Sequence, residues 1–89
     1  MKLLNVGRGN MVSKDRIVAI ASPDSAPMKR LIQDMRDSVN LIDCTGGKKT
    51  RSVVVTDSNH IILSAMALET LSARAQGQNT SGEESTEND

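Results

Sequence analysis

The chain contains one histidine, His60, and one cysteine, Cys44. A catalytic thiol needs a base to deprotonate it. His60 falls in a predicted exposed turn, and Cys44 alternates within a predicted strand, where it reads as a small buried hydrophobe. The two together are too few for a zinc site, which takes about four ligands. Gly7-Arg8-Gly9 resembles the start of a dinucleotide fingerprint, but Val12 stands where the third glycine belongs and no helix follows. A tight turn explains those glycines. Thr45-Gly46-Gly47-Lys48-Lys49-Thr50 is loosely like a phosphate loop but lacks its leading glycine and spacer. A flexible basic loop that touches phosphates without chemistry remains open there. Nothing in the spacing forces Asp24, Asp43 and Asp57 to converge for acid–base work. The residues therefore point to no enzyme, no metal, no cofactor and no small-molecule substrate.

Positive charge remains. Arg8, Lys14, Arg16, Lys29, Arg30, Arg36, Lys48, Lys49 and Arg51 sit in predicted loops, at strand edges and on a helix. Arginine suits bidentate phosphate contacts and lysine acts as a point charge. The formal net charge is zero, with 11 basic and 11 acidic residues, but the average hides a split. Residues 1–75 carry every basic residue and seven acidic ones, a net +4, whereas residues 76–89 carry four acidic residues and no basic one. Such asymmetry points to a polyanion partner, or to a solvated surface with a solubilising tail. There is no Phe, Tyr or Trp, so no aromatic platform exists for stacking bases. One monomer offers few phosphate contacts, and a ring of copies would multiply them. Composition alone does not choose between DNA, RNA and neither.

The elements that must carry these residues follow from the apolar pattern. Lys2 to Val6 reads as a strand ending at Gly7-Arg8-Gly9-Asn10. Met11 to Ala21 reads as a second strand, with a bend or bulge at Ser13-Lys14-Asp15. Residues 25–39 form the main predicted helix, with Ser25 as N-cap and Pro27 in the first turn. Met28, Leu31, Ile32, Met35 and Val39 make one apolar stripe, read first as core-facing and second as a groove for a partner. Leu41 to Cys44 is a short strand. Ser52 to Thr56 and Ile61 to Ala65 flank a turn at Asp57-Ser58-Asn59-His60 and form a hairpin. Residues 67–75 suit a short C-terminal helix, and residues 76–89 a disordered acidic tail. The expected fold class is α+β, with a small mixed or antiparallel sheet. One helix cannot cover both faces of such a sheet, so neighbouring chains are expected to cover the other.

Eighty-nine residues with 37% hydrophobic content suit one small domain with a purely aliphatic core. So small a core is marginal alone, which hints at oligomerisation. A lone cysteine allows no intramolecular disulfide, and with no secretory signal or membrane-length apolar run the expectation is a cytoplasmic protein without membrane contact.

Several segments match a known family. Asn5-Val6-Gly7-Arg8-Gly9-Asn10-Met11-Val12 is similar to its Asn-x-Gly-x-Gly-Asn-x-Val segment. Ser22-Pro23-Asp24-Ser25-Ala26-Pro27-Met28-Lys29-Arg30-Leu31-Ile32 is similar to its Ser-Pro-x-Ser-Ala-Pro-x-Lys-Arg-x-Ile core. Leu41-Ile42-Asp43, Gly47-Lys48-Lys49-Thr50-Arg51 and Asp57-Ser58-x-His60-x-Ile62-Leu63-Ser64 also fit, in order. The chain resembles the RemA family of bacterial extracellular matrix regulators from about residue 2 to 66, without a gap. The resemblance implies a transcriptional activator of biofilm-matrix and osmoprotection genes. It implies a ring-shaped, octamer-like homo-oligomer that binds double-stranded promoter DNA on its basic rim and associates with the nucleoid. It assigns DNA contact to Arg16 and matches Lys48, Lys49 and Arg51 to the family's basic run, and the charge pattern of the chain adds Arg8, Lys14 and Arg30 to the expected DNA-binding residues. Pro27 matches a proline whose change disrupts function, and Pro27, Met28, Leu31 and Ile32 are expected to serve helix initiation and subunit packing. Arg8 and Gly46 stand at positions often aromatic in relatives, and Lys48 and Lys49 where arginines are common. The alternative is a non-enzymatic oligomeric scaffold for an acidic protein or RNA.

Overall fold

The structure is a computed structural model and describes residues 2–77. Alternating apolar residues open the chain as β1 (Leu3–Gly7), which pairs antiparallel with β2 (Asn10–Ser13). A 3-10 turn over Lys14–Arg16 leads into β3 (Ile17–Ala21). Helix α1 (Ala26–Asp34) and β4 (Leu41–Asp43) follow, then β5 (Ser52–Thr56), β6 (Ile61–Ser64) and α2 (Leu68–Ala75). The second sheet runs β3-β5-β6-β4, with β4 parallel to β6 and the other pairs antiparallel. This is the expected α+β class with a mixed sheet. The acidic tail expected over 76–89 lies outside the described residues from residue 78 onward.

The core sits where α2 and the β1–β2 hairpin close over one face of the larger sheet. Leu4, Val6, Cys44, Val54, Ile62 and Leu71 form it, and Val12, Ile17, Ile20, Met66 and Ala75 pack against it. Val54 and Ile62 lie opposite each other in the β5–β6 register. Full burial of an aliphatic side chain of this size contributes about 2 kcal/mol. Two buried hydroxyls tie the layers together: Ser64 Oγ donates to the Val6 carbonyl at 2.7 Å, and Ser52 Oγ donates to the Met66 carbonyl at 2.7 Å. Both hydroxyls are fully buried, so losing either acceptor would leave an uncompensated polar group.

Three expectations need correction. The segment 11–21 is not one bulged strand, because Lys14–Arg16 turns the chain out of the hairpin sheet and into the larger one. Ser13, Lys14 and Asp15 are polar and poor strand formers, so the chain changes sheets there. The main helix stops at Asp34, short of 39, and leaves Val39 92% exposed. Asp37, Ser38 and Asn40 compete for backbone hydrogen bonds, and Ser38 Oγ accepts from the Asn40 N–H at 3.0 Å. Finally, α1 contributes no buried residue, whereas the short α2 contributes Leu71, fully buried. Met28, Leu31, Ile32 and Met35 are only half-buried. The apolar stripe of α1 is therefore not core within the single chain.

The N-terminus of α1 forms as its residues dictate. Ser25 has extended backbone, its Oγ accepts from the Met28 N–H at 3.4 Å, and Pro27 lies in the first turn.

Candidate nucleic-acid interface

Two loops build a basic depression. The first is the β1–β2 turn, in which Gly7, Arg8 and Gly9 have φ of 107°, 57° and 81°. For Arg8, which carries a Cβ, that left-handed conformation costs about 1 kcal/mol. Flanking asparagines hold it: Asn5 Oδ1 accepts from the Gly7 N–H at 2.8 Å, and Asn10 Nδ2 donates to the carbonyls of Gly7 and Arg8 at 3.1 and 3.3 Å. The Ser64–Val6 bond fixes this turn to the larger sheet.

The second loop runs from Cys44 to Arg51. Asp43 Oδ1 accepts from the Thr45 hydroxyl at 2.6 Å and from its backbone N–H at 2.9 Å. Those two bonds, the hydroxyl first, hold the Asp43 carboxyl below its ordinary pKa. Thr45 Oγ1 in turn accepts from the Gly47 N–H at 3.3 Å. The Arg51 N–H donates to the Ser64 carbonyl at 2.8 Å, which returns the loop to the sheet.

Between the loops lies a cavity of about 430 Å³. Arg8, Lys48, Lys49 and Arg51 surround it, and Val6, Cys44, Ala65 and Met66 line its apolar part. Among the described residues, no carboxylate forms an ion pair with any of the four cations. The Arg8 guanidinium lies against the Gly46 backbone. A Cβ built at Gly46 would come within 2.7 Å of Arg8 Cζ and 3.0 Å of Nη2, closer still to Nε, so a side chain there would make the flexible Arg8 side chain move aside. Cys44 is buried, as expected, and burial pushes its thiol pKa up, with the neighbouring Asp43 charge adding to the effect. That keeps the sulfur protonated and poorly nucleophilic.

Arg16 does not share this cavity. It lines a shallower depression with Met11, Ile42, Thr56, His60 and Ile62. Its Nε donates to Asp57 Oδ1 at 2.8 Å, and the bond and charge together raise its pKa further. His60 is half-buried, against the exposed position expected of it, and its Nδ1 lies 2.7 Å from Ser58 Oγ. The hydrogen-bonded Thr56-Ser58-His60 turn draws the ring in. Lys14 lines a third depression with Leu3, Asn5 and Arg74, and Arg30 is exposed on α1.

The structure thus brings Arg8, Lys48, Lys49 and Arg51 together and distributes Arg16, Lys14 and Arg30 elsewhere. Sequence reasoning missed Asp57 as the partner of Arg16, because Asp57 already made sense as a turn residue. It also missed Arg74, whose only signal was its place in the last turn of a short helix.

The family model described as extracellular matrix regulatory protein A-like, RemA-like, matches residues 3–75. The chain belongs to the RemA-like family. It is 52% identical over 84 residues to a protein of Geobacillus thermodenitrificans named "Putative regulatory protein", covering 94% of this chain and 97% of that one. Homologues bearing the same name in Heliobacterium modesticaldum and Dictyoglomus turgidum are 53% identical over 89 residues and 58% over 77. The former covers 98% of each chain, the latter 86% of this chain and 91% of the relative. The RemA-like match includes both walls of the basic cavity, the Arg16–Asp57 pair and the whole of α1. No described helix is long and apolar enough to cross a membrane.

Proposed function

We propose that this RemA-like chain is a non-enzymatic transcriptional regulator that binds duplex DNA as a ring-shaped homo-oligomer. The observation that carries the reading is the group of four cations, Arg8, Lys48, Lys49 and Arg51, gathered from two loops with no described carboxylate paired to them. Such a group attracts a polyanion and releases its counterions. With no aromatic residue available, phosphate contact and duplex shape supply recognition, and base stacking does not. Arg16, oriented by Asp57, adds a guanidinium on a second surface, and Lys14 and Arg30 extend the basic rim. Biofilm-matrix and osmoprotection operons are the regulated genes in this reading, which takes them from the family resemblance.

Exposed apolar surface supports the assembly. Leu3, Met11, Val18 and Ile42 are 52%, 55%, 66% and 40% exposed, and the α1 stripe is only half-buried. Contiguous apolar surface on a small chain marks an interaction site. A ring needs two different complementary faces on each copy, and the α1 face and the strand surface carrying Met11 and Ile42 supply them.

A mobility shift with promoter duplex, run beside native mass measurement, tests both halves. The expected result is a retained duplex and a mass of several copies, with Arg16→Ala losing the duplex while keeping the mass. A monomer that ignores duplex DNA but captures an acidic protein would overturn the reading.

A further inference from the structure

The four cations around the cavity pair with no described carboxylate, and the sequence holds a set of carboxylates with no cation among them. Glu83, Glu84, Glu87 and Asp89 lie in residues 78–89, a stretch with no basic and no apolar residue. Such a stretch docks through its charge. The fold sets the distance it must cover. Met66 lines the cavity, α2 follows over Leu68–Ala75, and Gly77 lines a second depression with Leu3 and Lys14. Strand β1 joins the same two places, with Leu3, Leu4 and Asn5 at the Gly77 end and Val6 and Gly7 at the cavity. At about 3.3 Å per strand residue, the two ends of β1 stand about 13 Å apart. The chain from Gly77 to Glu83 spans up to about 20 Å when extended. Glu83 and every carboxylate after it therefore reach the cavity of their own chain. Residues 78–82, which leave beside Lys14, are uncharged, so the first carboxylates fall beyond that depression. Neighbouring Glu83 and Glu84 match neighbouring Lys48 and Lys49 in charge density.

We propose that the cavity is the docking site of the chain's own acidic segment, with Glu83, Glu84 and Glu87 on Lys48, Lys49, Arg8 and Arg51. The four cations are exposed, so each ion pair adds little, but the tether holds the carboxylates at an effective concentration of about millimolar. The segment competes with any outside polyanion for these cations. The inference rests on the cation group and not on the DNA reading.

Carbodiimide treatment of the full chain at low salt, which joins a lysine amine to a touching carboxylate, tests the contact. Mass spectrometry should find Glu83, Glu84 or Glu87 joined to Lys48 or Lys49, with the links lost at high salt. Links spread equally over Lys2, Lys14 and Lys29, or no link, would overturn the proposal. The competition is read with inorganic polyphosphate as probe. Glu83→Gln, Glu84→Gln, Glu87→Gln and Asp89→Asn together should tighten its binding several-fold at low salt. That gain should vanish when Lys48→Ala and Lys49→Ala are added, because the segment then has no site to vacate. A gain that survives their removal reports net charge alone and overturns the proposal. Duplex binding without the links overturns this inference alone, and the links in a chain that ignores duplex overturn the DNA reading alone.

Discussion

Arg16 and Asp57 are bonded in both directions: Arg16 Nε donates to Asp57 Oδ1 at 2.8 Å, and the Asp57 N–H donates to the Arg16 carbonyl at 2.9 Å. The pair joins the start of β3 to the end of β5, 41 residues apart in sequence. Both side chains are largely exposed, so the pair adds little to stability. What it does is orient a guanidinium whose Nη groups no described residue takes up.

That orientation separates charge from geometry. Arg16→Lys keeps the charge but loses the Nε donor and the planar fork. Duplex affinity should fall several-fold in Arg16→Lys, with the melting temperature almost unchanged. An affinity equal to that of the unsubstituted chain would show that Arg16 acts only as a point charge.

The two helices should respond differently to substitution. Leu71 is fully buried, and Leu71→Ala should cost about 3 kcal/mol and lower the unfolding midpoint sharply. Leu31 is half-buried on the α1 stripe, and Leu31→Glu should leave the single chain folded while breaking the assembly. Circular dichroism with native mass distinguishes them. A Leu31→Glu chain of unchanged mass would remove α1 from the subunit interface.

How far these distinctions were legible in sequence depended on periodicity. The β5–β6 hairpin, Ser25 as N-cap and Cys44 as a buried small residue all follow from local pattern, and the structure has them. The reversal of roles between α1 and α2 does not. Met28, Leu31 and Ile32 make a stronger stripe than Leu68, Leu71 and Ala75, yet the weaker helix fills the core. Periodicity states that a face is apolar but not what covers it, and the stripe of α2 does not tell that it lies beside β1 and β3. The Arg8–Gly46 contact was equally hidden, since neither turn names the other.

Asp43 gives the 45–51 loop a pH dependence of definite sign. Its pKa in the folded chain lies below the unfolded value, so its bonds to Thr45 stabilise the loop fully above the ordinary aspartate value of about 3.9. That contribution is lost as pH falls through the lower folded value. The protection of the Thr45 and Gly47 amides, measured against their intrinsic exchange rates at each pH, should therefore fall in acid, and Asp43→Ala should show that lowered protection at neutral pH. Exchange at these amides that ignored both would contradict the assignment.

The Cys44 thiol should react with a maleimide or iodoacetamide at neutral pH far more slowly in the folded chain than in denaturant. Its raised pKa and burial both disfavour the thiolate. Rapid labelling of the folded chain would reopen a nucleophilic role, and Cys44→Ser should leave duplex binding intact.

The central claim is that the gathered cations meet DNA phosphates, and the salt dependence of duplex binding tests it most directly. The logarithm of affinity should fall linearly with the logarithm of salt concentration, by about 0.9 for each phosphate neutralised. Lys48→Ala combined with Lys49→Ala should make that slope shallower while native mass stays unchanged. A slope that the double substitution leaves untouched, or no duplex binding even at low salt, would contradict the account.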